Sequence, residues 1–266
     1  MTLPVDVPSS PSDLFSLAGR TALVTGATQG IGRLISTGLA RARVRVYICS
    51  RKAEPLSDLA DEIVAAGGWC TALPADLGSE SECLRVGEEL ARHEHHLDLL
   101  VNNAGNTWVA PLAKSDEKSW ERVLALNLKA VFHLTRALLP VLSAAGSADS
   151  PARIINIGSI SGLHVPDIET YAYSASKAAV HHLTRHLAKT LAPAITVNAI
   201  APGTFPSRMS APIIASQLDE VVAGTPLRRI GRSDDIVGAV MFLASRAGSF
   251  VTGAVLPVDG GIANTL

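Results

Sequence analysis

From Arg20 onward, short runs rich in β-branched residues alternate with longer stretches of helical periodicity, and no other feature constrains the fold as tightly. Strands are expected over 21–25, 44–49, 69–74, 97–101, 152–158, 195–200 and 254–258. Helices are expected after the first strand to about 41, then over 56–66, 79–93, 115–143, 173–191 and 234–245. Strands separated by such helices pair in parallel through right-handed crossovers, which cover both faces of the sheet. The expected class is therefore α/β: one doubly wound, parallel, seven-stranded sheet with helices on both faces. Two segments break the rhythm. Residues 146–150 form a polar loop. Residues 202–232 hold four prolines and three glycines around a weak helical pattern, which suits a mobile substrate lid over about 204–232. Residues 1–15 are rich in Pro and Ser and are expected as a flexible arm, leaving 16–266 as a single domain.

Composition narrows the partners. A chain of 266 residues with 47% apolar side chains can bury a large core without disulfide or metal staples. Twenty-three basic residues against 24 acidic ones, with no basic run, argue against nucleic acid as a partner. No stretch reaches ~18 consecutive apolar residues, so no membrane span is expected. The first eleven residues lack a basic region and an apolar core, so no signal peptide is expected there. Cys49, Cys70 and Cys83 lack metal spacing and read as reduced thiols of a cytoplasmic protein.

The first strand ends in Thr25-Gly26-Ala27-Thr28-Gln29-Gly30-Ile31-Gly32. Glycines at this spacing, between a strand and a helix, let main chain approach a pyrophosphate and aim helix N–H groups at it. That points to a dinucleotide, although an ordinary glycine-rich turn has the same look. The second strand ends Cys49-Ser50-Arg51-Lys52. An acidic residue there would hold ribose hydroxyls and repel a 2′-phosphate. Ser50 brings no charge, and the Arg51 guanidinium offers paired donors to a phosphate, unless it is a solvated surface cation. Asp76 can accept from an adenine amino group or cap the next helix. Asn102-Asn103-Ala104-Gly105 leaves room for a ribose, though an Asn-rich turn would look alike.

Tyr173 and Lys177 sit one helical turn apart on one face. An ammonium near a phenol lowers its pKa, and such a phenol can give a proton to a ketone oxygen as hydride reaches carbon. Tyr171 has Ala175 at i+4 and reads as structural. Ser159 leaves the carboxyl edge of the sheet, where its hydroxyl can orient the same oxygen or simply serve the turn. Asn127 falls inside a helix, where Asn is a poor helix former. A buried polar contact and a relay-water site are both open there.

Taken together these residues resemble the short-chain dehydrogenase/reductases. The likeness runs from Leu17 to Ile262 and is carried by the glycine turn, Asp76, Asn102-Asn103-Ala104-Gly105, Asn127, Ser159, Tyr173, Lys177, Pro202-Gly203 and Val258-Asp259-Gly260-Gly261. Within the family the chain is similar to NADPH-dependent β-ketoacyl (3-oxoacyl) reductases, including the rhamnolipid-biosynthesis type. The resemblance implies a Rossmann-type fold with NADP(H) as cofactor. It implies that Gly26, Thr28, Gln29, Gly30, Ile31, Gly32, Ser50, Arg51, Asp76, Leu77, Asn103, Ala104 and Gly105 bind the adenosine and phosphates. Tyr173, Lys177, Pro202, Gly203, Thr204 and Ser207 would border the nicotinamide half. Tyr173 would be the acid/base, Lys177 its tuning partner, Ser159 the substrate-positioning hydroxyl and Asn127 the holder of a relay water. Trp108, Ser161, His164 and Met209 fall where a substrate would lie, or simply pack. Three positions depart from the usual pattern: Arg43 replaces a glycine after the first helix, Gln29 replaces a basic residue, and Ser207 replaces a threonine.

The expected activity is reduction of a small-molecule ketone or β-ketoacyl substrate to a secondary alcohol. The alternatives are a secondary-alcohol dehydrogenase running in reverse and a non-catalytic cofactor sensor. No metal is expected: His182 and His186 have ligand spacing but no further partners. Apolar residues on more than one face of the two longest helices imply a homotetramer or homodimer.

Overall fold

Successive strand residues face opposite sides of a sheet, and here both sets are apolar, so the sheet must be covered twice. The computed structural model describes residues 10–265 and contains seven strands: β1 Thr21–Thr25, β2 Arg45–Ser50, β3 Trp69–Pro74, β4 Leu99–Asn102, β5 Ala152–Ile157, β6 Ile195–Pro202 and β7 Val255–Val258. Every pair is parallel, in the order β3-β2-β1-β4-β5-β6-β7. Ala22, Val24, Val46, Ile48, Val101 and Ile155 pack on one face, against Ile35 and Leu39, Leu56 and Leu59, and Ile236 and Val240. These belong to α2 (Gly30–Arg41), α3 (Ala53–Ala65) and α9 (Ser233–Ala244). Leu23, Tyr47, Leu100, Ile154 and Val197 point the other way, onto Val86 and Leu90, Leu134 and Leu138, and Ala188. These come from α4 (Glu80–His93), α6 (Ala130–Ala145) and α7 (Tyr171–Leu191). The expected doubly wound parallel sheet is the fold observed.

Several boundaries differ from expectation. Of the arm expected over 1–15, residues 1–9 lie outside the described residues. Residues 11–14 form a short helix, α1 (Pro11–Leu14), because the Ser10 side chain caps the Asp13 N–H. The long helix expected over 115–143 is three pieces: α5 (Glu117–Leu124), a π turn (Ala125–Lys129) and α6. Taken as one stretch, Glu117–Ala145 is long and apolar enough to cross a membrane. Its apolar stripe instead packs on the sheet through Ala130, Leu134, Leu138 and Leu142. In 202–232 a helix forms, α8 (Ala211–Gly224), broken at Gln217 and without a buried residue. The chain ends with a short helix, α10 (Ile262–Thr265).

Arg43 shows how α2 closes without the usual glycine. It adopts φ +62°, while the Val44 N–H reaches back to the Leu39 carbonyl at 3.1 Å. A side chain in this left-handed conformation costs roughly 1 kcal/mol relative to glycine.

Candidate active site

The strand order reverses between β1 and β4, which leaves a crevice at their carboxyl ends. A cleft of about 530 Å³ opens there. Its floor is the turn after β1, lined by Gly26, Thr28, Gln29, Gly30, Ile31 and Gly32. A Cβ on Gly26 would lie 2.8 Å from the Ala104 Cα, and one on Gly30 would lie 2.8 Å from the Ser207 Cβ. Both glycines have positive φ, so the turn is closed to side chains by space and by conformation.

The turn is clamped to the end of β4. The Thr25 hydroxyl oxygen accepts the Asn103 and Ala104 N–H groups, each at 2.9 Å. The Asn103 amide donates to the Thr25 and Gly26 carbonyls at 2.8 and 3.1 Å. Asn103, Ala104 and Gly105 all line the cleft, but the Asn103 side chain is spent on the main chain of the turn. Behind them, Asn102, Asn156 and Thr184 form a buried chain with links of 2.9 Å that ties β4, β5 and α7 together. The sequence marks Thr25 only as the start of the glycine turn and Asn102 only as part of an Asn-rich strand end; the contacts themselves carry no local signal.

At one end of the cleft lie Ser50, Arg51, Lys52 and Leu77. Arg51 and Lys52 are exposed, so two cations border this end rather than one. The Ser50 hydroxyl is buried and has no hydrogen-bond partner. Asp76 is exposed and outside the lining; its carboxylate takes the Gly78 N–H at 3.2 Å. It is not the cap of α4 either, since Ser79 occupies that position.

Ser159, Tyr173 and Lys177 stand toward the other end, with Pro202, Gly203, Thr204, Ser207 and Met209. Lys177 is buried and donates to the Ile157 carbonyl at 2.7 Å, with its Nζ 5.7 Å from the Tyr173 ring centre. Burial pushes its pKa down to about 8. Burial pushes the Tyr173 phenol up, and the Ser159 hydroxyl pulls it the other way. The net direction for Tyr173 is upward, contrary to the lowering expected from Lys177. Burial sets the direction, and Lys177 is not among the causes of the shift.

Asn127 lies at the π turn but does not line the cleft. Its amide donates to the Asn106 carbonyl at 2.9 Å and the Ser176 hydroxyl at 3.0 Å, and its oxygen accepts the Asn106 N–H at 2.9 Å. The side chain therefore braces the segment after β4, with no donor left for a water. Ser161 and His164 line a second cavity of about 540 Å³ with Leu112, Trp120 and Tyr171. Trp108 is exposed and lines neither cavity. Phe205, Arg208 and Ile213 also line the main cleft. His182 and His186 are exposed, and among the described residues no three His, Cys, Asp or Glu side chains converge.

The donor set fits a phosphorylated dinucleotide. Main-chain N–H groups of the glycine turn suit a pyrophosphate, and Arg51 and Lys52 suit a further phosphate. The unpartnered Ser50 hydroxyl is a buried group still to be matched by a ligand.

The comparisons with known proteins agree with this geometry. The model of the family described as short chain dehydrogenase matches residues 20–218. The chain is 46% identical over 250 residues to a rhamnolipids biosynthesis 3-oxoacyl-[acyl-carrier-protein] reductase of Pseudomonas aeruginosa, covering 93% of this chain and 97% of that protein. It is 36% identical to the gluconate 5-dehydrogenase of Gluconobacter oxydans, covering 97% and 100%. The solved RhlG/NADP active-site complex of Pseudomonas aeruginosa superposes with a TM-score of 0.91 at 46% identity, covering 94% and 99%. Fold, cleft and relatives agree: the chain belongs to the short-chain dehydrogenase family.

Proposed function

We propose that this protein is an NADPH-dependent carbonyl reductase acting on a β-ketoacyl or related ketone to give a secondary alcohol. The observation that carries the reading is one continuous cleft that joins the glycine turn and the Arg51–Lys52 end to Ser159, Tyr173 and Lys177. The bound nicotinamide supplies the hydride. Ser159 holds the carbonyl oxygen beside the Tyr173 phenol, and that phenol, high in pKa, gives its proton to the forming alkoxide. Lys177, one turn along, would hold the nicotinamide ribose, and its ammonium would favour return of a solvent proton to the Tyr173 phenolate. Because both Asn127 amide N–H groups are committed, a relay water there would donate to the Asn127 oxygen or rest on the main chain of its π turn. The relative that is a 3-oxoacyl reductase and the neighbour solved with NADP support the substrate class and the cofactor.

The gluconate 5-dehydrogenase relative favours a second reading, in which Tyr173 acts as base and an alcohol is oxidised. The finer features belong to the same proposal. Residues 16–266 act as one domain, with 204–232 as a substrate lid. The lid's ends are tied by the Gly231 N–H on the Thr204 carbonyl at 2.9 Å. The protein is a cytoplasmic homotetramer or homodimer; exposed Phe132 on α6 and Phe250 beyond α9 support an association surface. A spectrophotometric panel tests the activity, following NADPH and NADH oxidation with β-ketoacyl thioesters, α-ketoesters, aryl ketones and quinones. Preferred oxidation of NADPH by β-ketoacyl thioesters supports the reading. Turnover only with an alcohol and an oxidised cofactor overturns it.

A further inference from the structure

His181 has no place in the chemistry above, yet it lies on the face of α7 that carries Tyr173 and Lys177, at i+8 and i+4. It is 2% exposed, and neither ring nitrogen makes a hydrogen bond of normal geometry, although the Gly162 main chain lies close enough to favour its protonated form. A buried imidazole so poorly paired calls for a further reason to be there. What it does occupy is space. A Cβ on Gly158 would overlap the His181 Nε2 and lie 2.7 Å from its Cδ2. A Cβ on Gly162 would lie 2.9 Å from the His181 Cε1, and 2.7 Å from the α7 main chain at Lys177 and Ala178. Gly158 and Gly162 bracket Ser159. Their segment is held at one side by the Gly158 N–H on the Ile200 carbonyl at 2.7 Å. It closes on itself through the Gly162 N–H on the Ser159 carbonyl at 3.0 Å.

We infer that His181 is a positioning residue: its ring, wedged between Gly158 and Gly162, sets where Ser159 stands relative to Tyr173. The inference rests on the reductase reading for its catalytic consequence, while the wedge itself does not. The charged groups facing the ring are Lys177 and Arg185, both on α7. Burial, aided by these two cations and opposed by the Gly162 main chain, pushes its pKa down to about 4, so the wedge is neutral at working pH and adds no second cation beside Lys177. Removing the ring leaves a void into which the Ser159 segment can shift. Shifts on the order of 1 Å near a reacting group cost up to ~10²-fold in rate.

The test uses His181→Ala and His181→Gln with purified full-length protein. His181→Ala should lower kcat by about tenfold or more, with the NADPH Kd within about threefold of wild type, and His181→Gln should recover most of the loss. In a Ser159→Ala background, His181→Ala should add less than about twofold, since the two act through one group. A full additive loss in that background, or wild-type kcat in a folded His181→Ala protein, overturns the proposal. A size swap reads the wedge without any activity. Gly158→Ala should lower Tm strongly when His181 is present and much less in His181→Ala. Equal losses in both backgrounds would show that the ring does not fill this space, whatever reaction the enzyme performs.

Discussion

Replacing Thr25 by Val keeps the shape of a β1 side chain and removes one hydroxyl. That hydroxyl oxygen accepts two main-chain N–H groups, from Asn103 and Ala104, at 2.9 Å each. Valine would leave both unpaired. A fully buried orphan N–H costs about 1–3 kcal/mol. Both residues are only partly buried beside the cleft, so water can meet part of that cost. The expected loss for the pair is about 2 kcal/mol, or roughly 4–8 °C in Tm for a chain of this size. Thr25→Ser should lose far less, because it keeps the acceptor. Urea unfolding measures the stability, and quenching of protein fluorescence measures cofactor affinity on the same samples. NADPH binding should weaken in Thr25→Val, since the clamp sets the distance between the glycine turn and the β4 end. If Thr25→Val unfolds within about 0.5 kcal/mol of wild type and binds NADPH normally, the clamp is incidental and this reasoning fails.

Three further outcomes are expected. Arg51→Ala and Lys52→Ala should each weaken NADPH while sparing NADH, by about tenfold, the lower part of the range for a charge-assisted phosphate contact; Ser50→Asp should reverse the preference, and equal affinities of wild type for the two cofactors would remove Arg51 from phosphate binding. Gly32→Ala should abolish cofactor binding, because its Cβ would overlap the Gly26 carbonyl and the Asn103 amide; a crystal structure with NADPH bound normally would refute it. In the free enzyme, kcat/KM for reduction should fall as pH rises through about 8, where Lys177 loses its ammonium. The folded value lies below the usual 10.5, so the folded state holds fewer protons between the two; Lys177 thus makes stability rise across that window, a slope that Lys177→Met should lack.

The sheet was readable because strands such as 22–24 and 46–48 are apolar on both faces, which only a doubly covered sheet accommodates. The glycine turn and the Tyr173–Lys177 pair were readable because local spacing alone fixes their geometry. What escaped depends on contacts distant in sequence. Thr25 meets Asn103 across 78 positions, and Asn102 meets Asn156 across 54. No local pattern marks either. Asn127 stands out in the sequence as a poor helix former, but its three hydrogen bonds to Asn106 and Ser176 depend on the fold. The direction of the Tyr173 shift likewise follows from burial, which spacing does not reveal.

Proton donation by Tyr173 is the step on which the NADPH-dependent reduction turns. Its most direct test is turnover of a β-ketoacyl thioester by wild type and Tyr173→Phe, with the NADPH Kd measured on both. The phenylalanine enzyme should bind NADPH within about twofold of wild type and lose at least ~10²-fold in kcat, the scale of a missing general acid. Turnover above about a tenth of wild type, with binding unchanged, would take Tyr173 out of the chemistry.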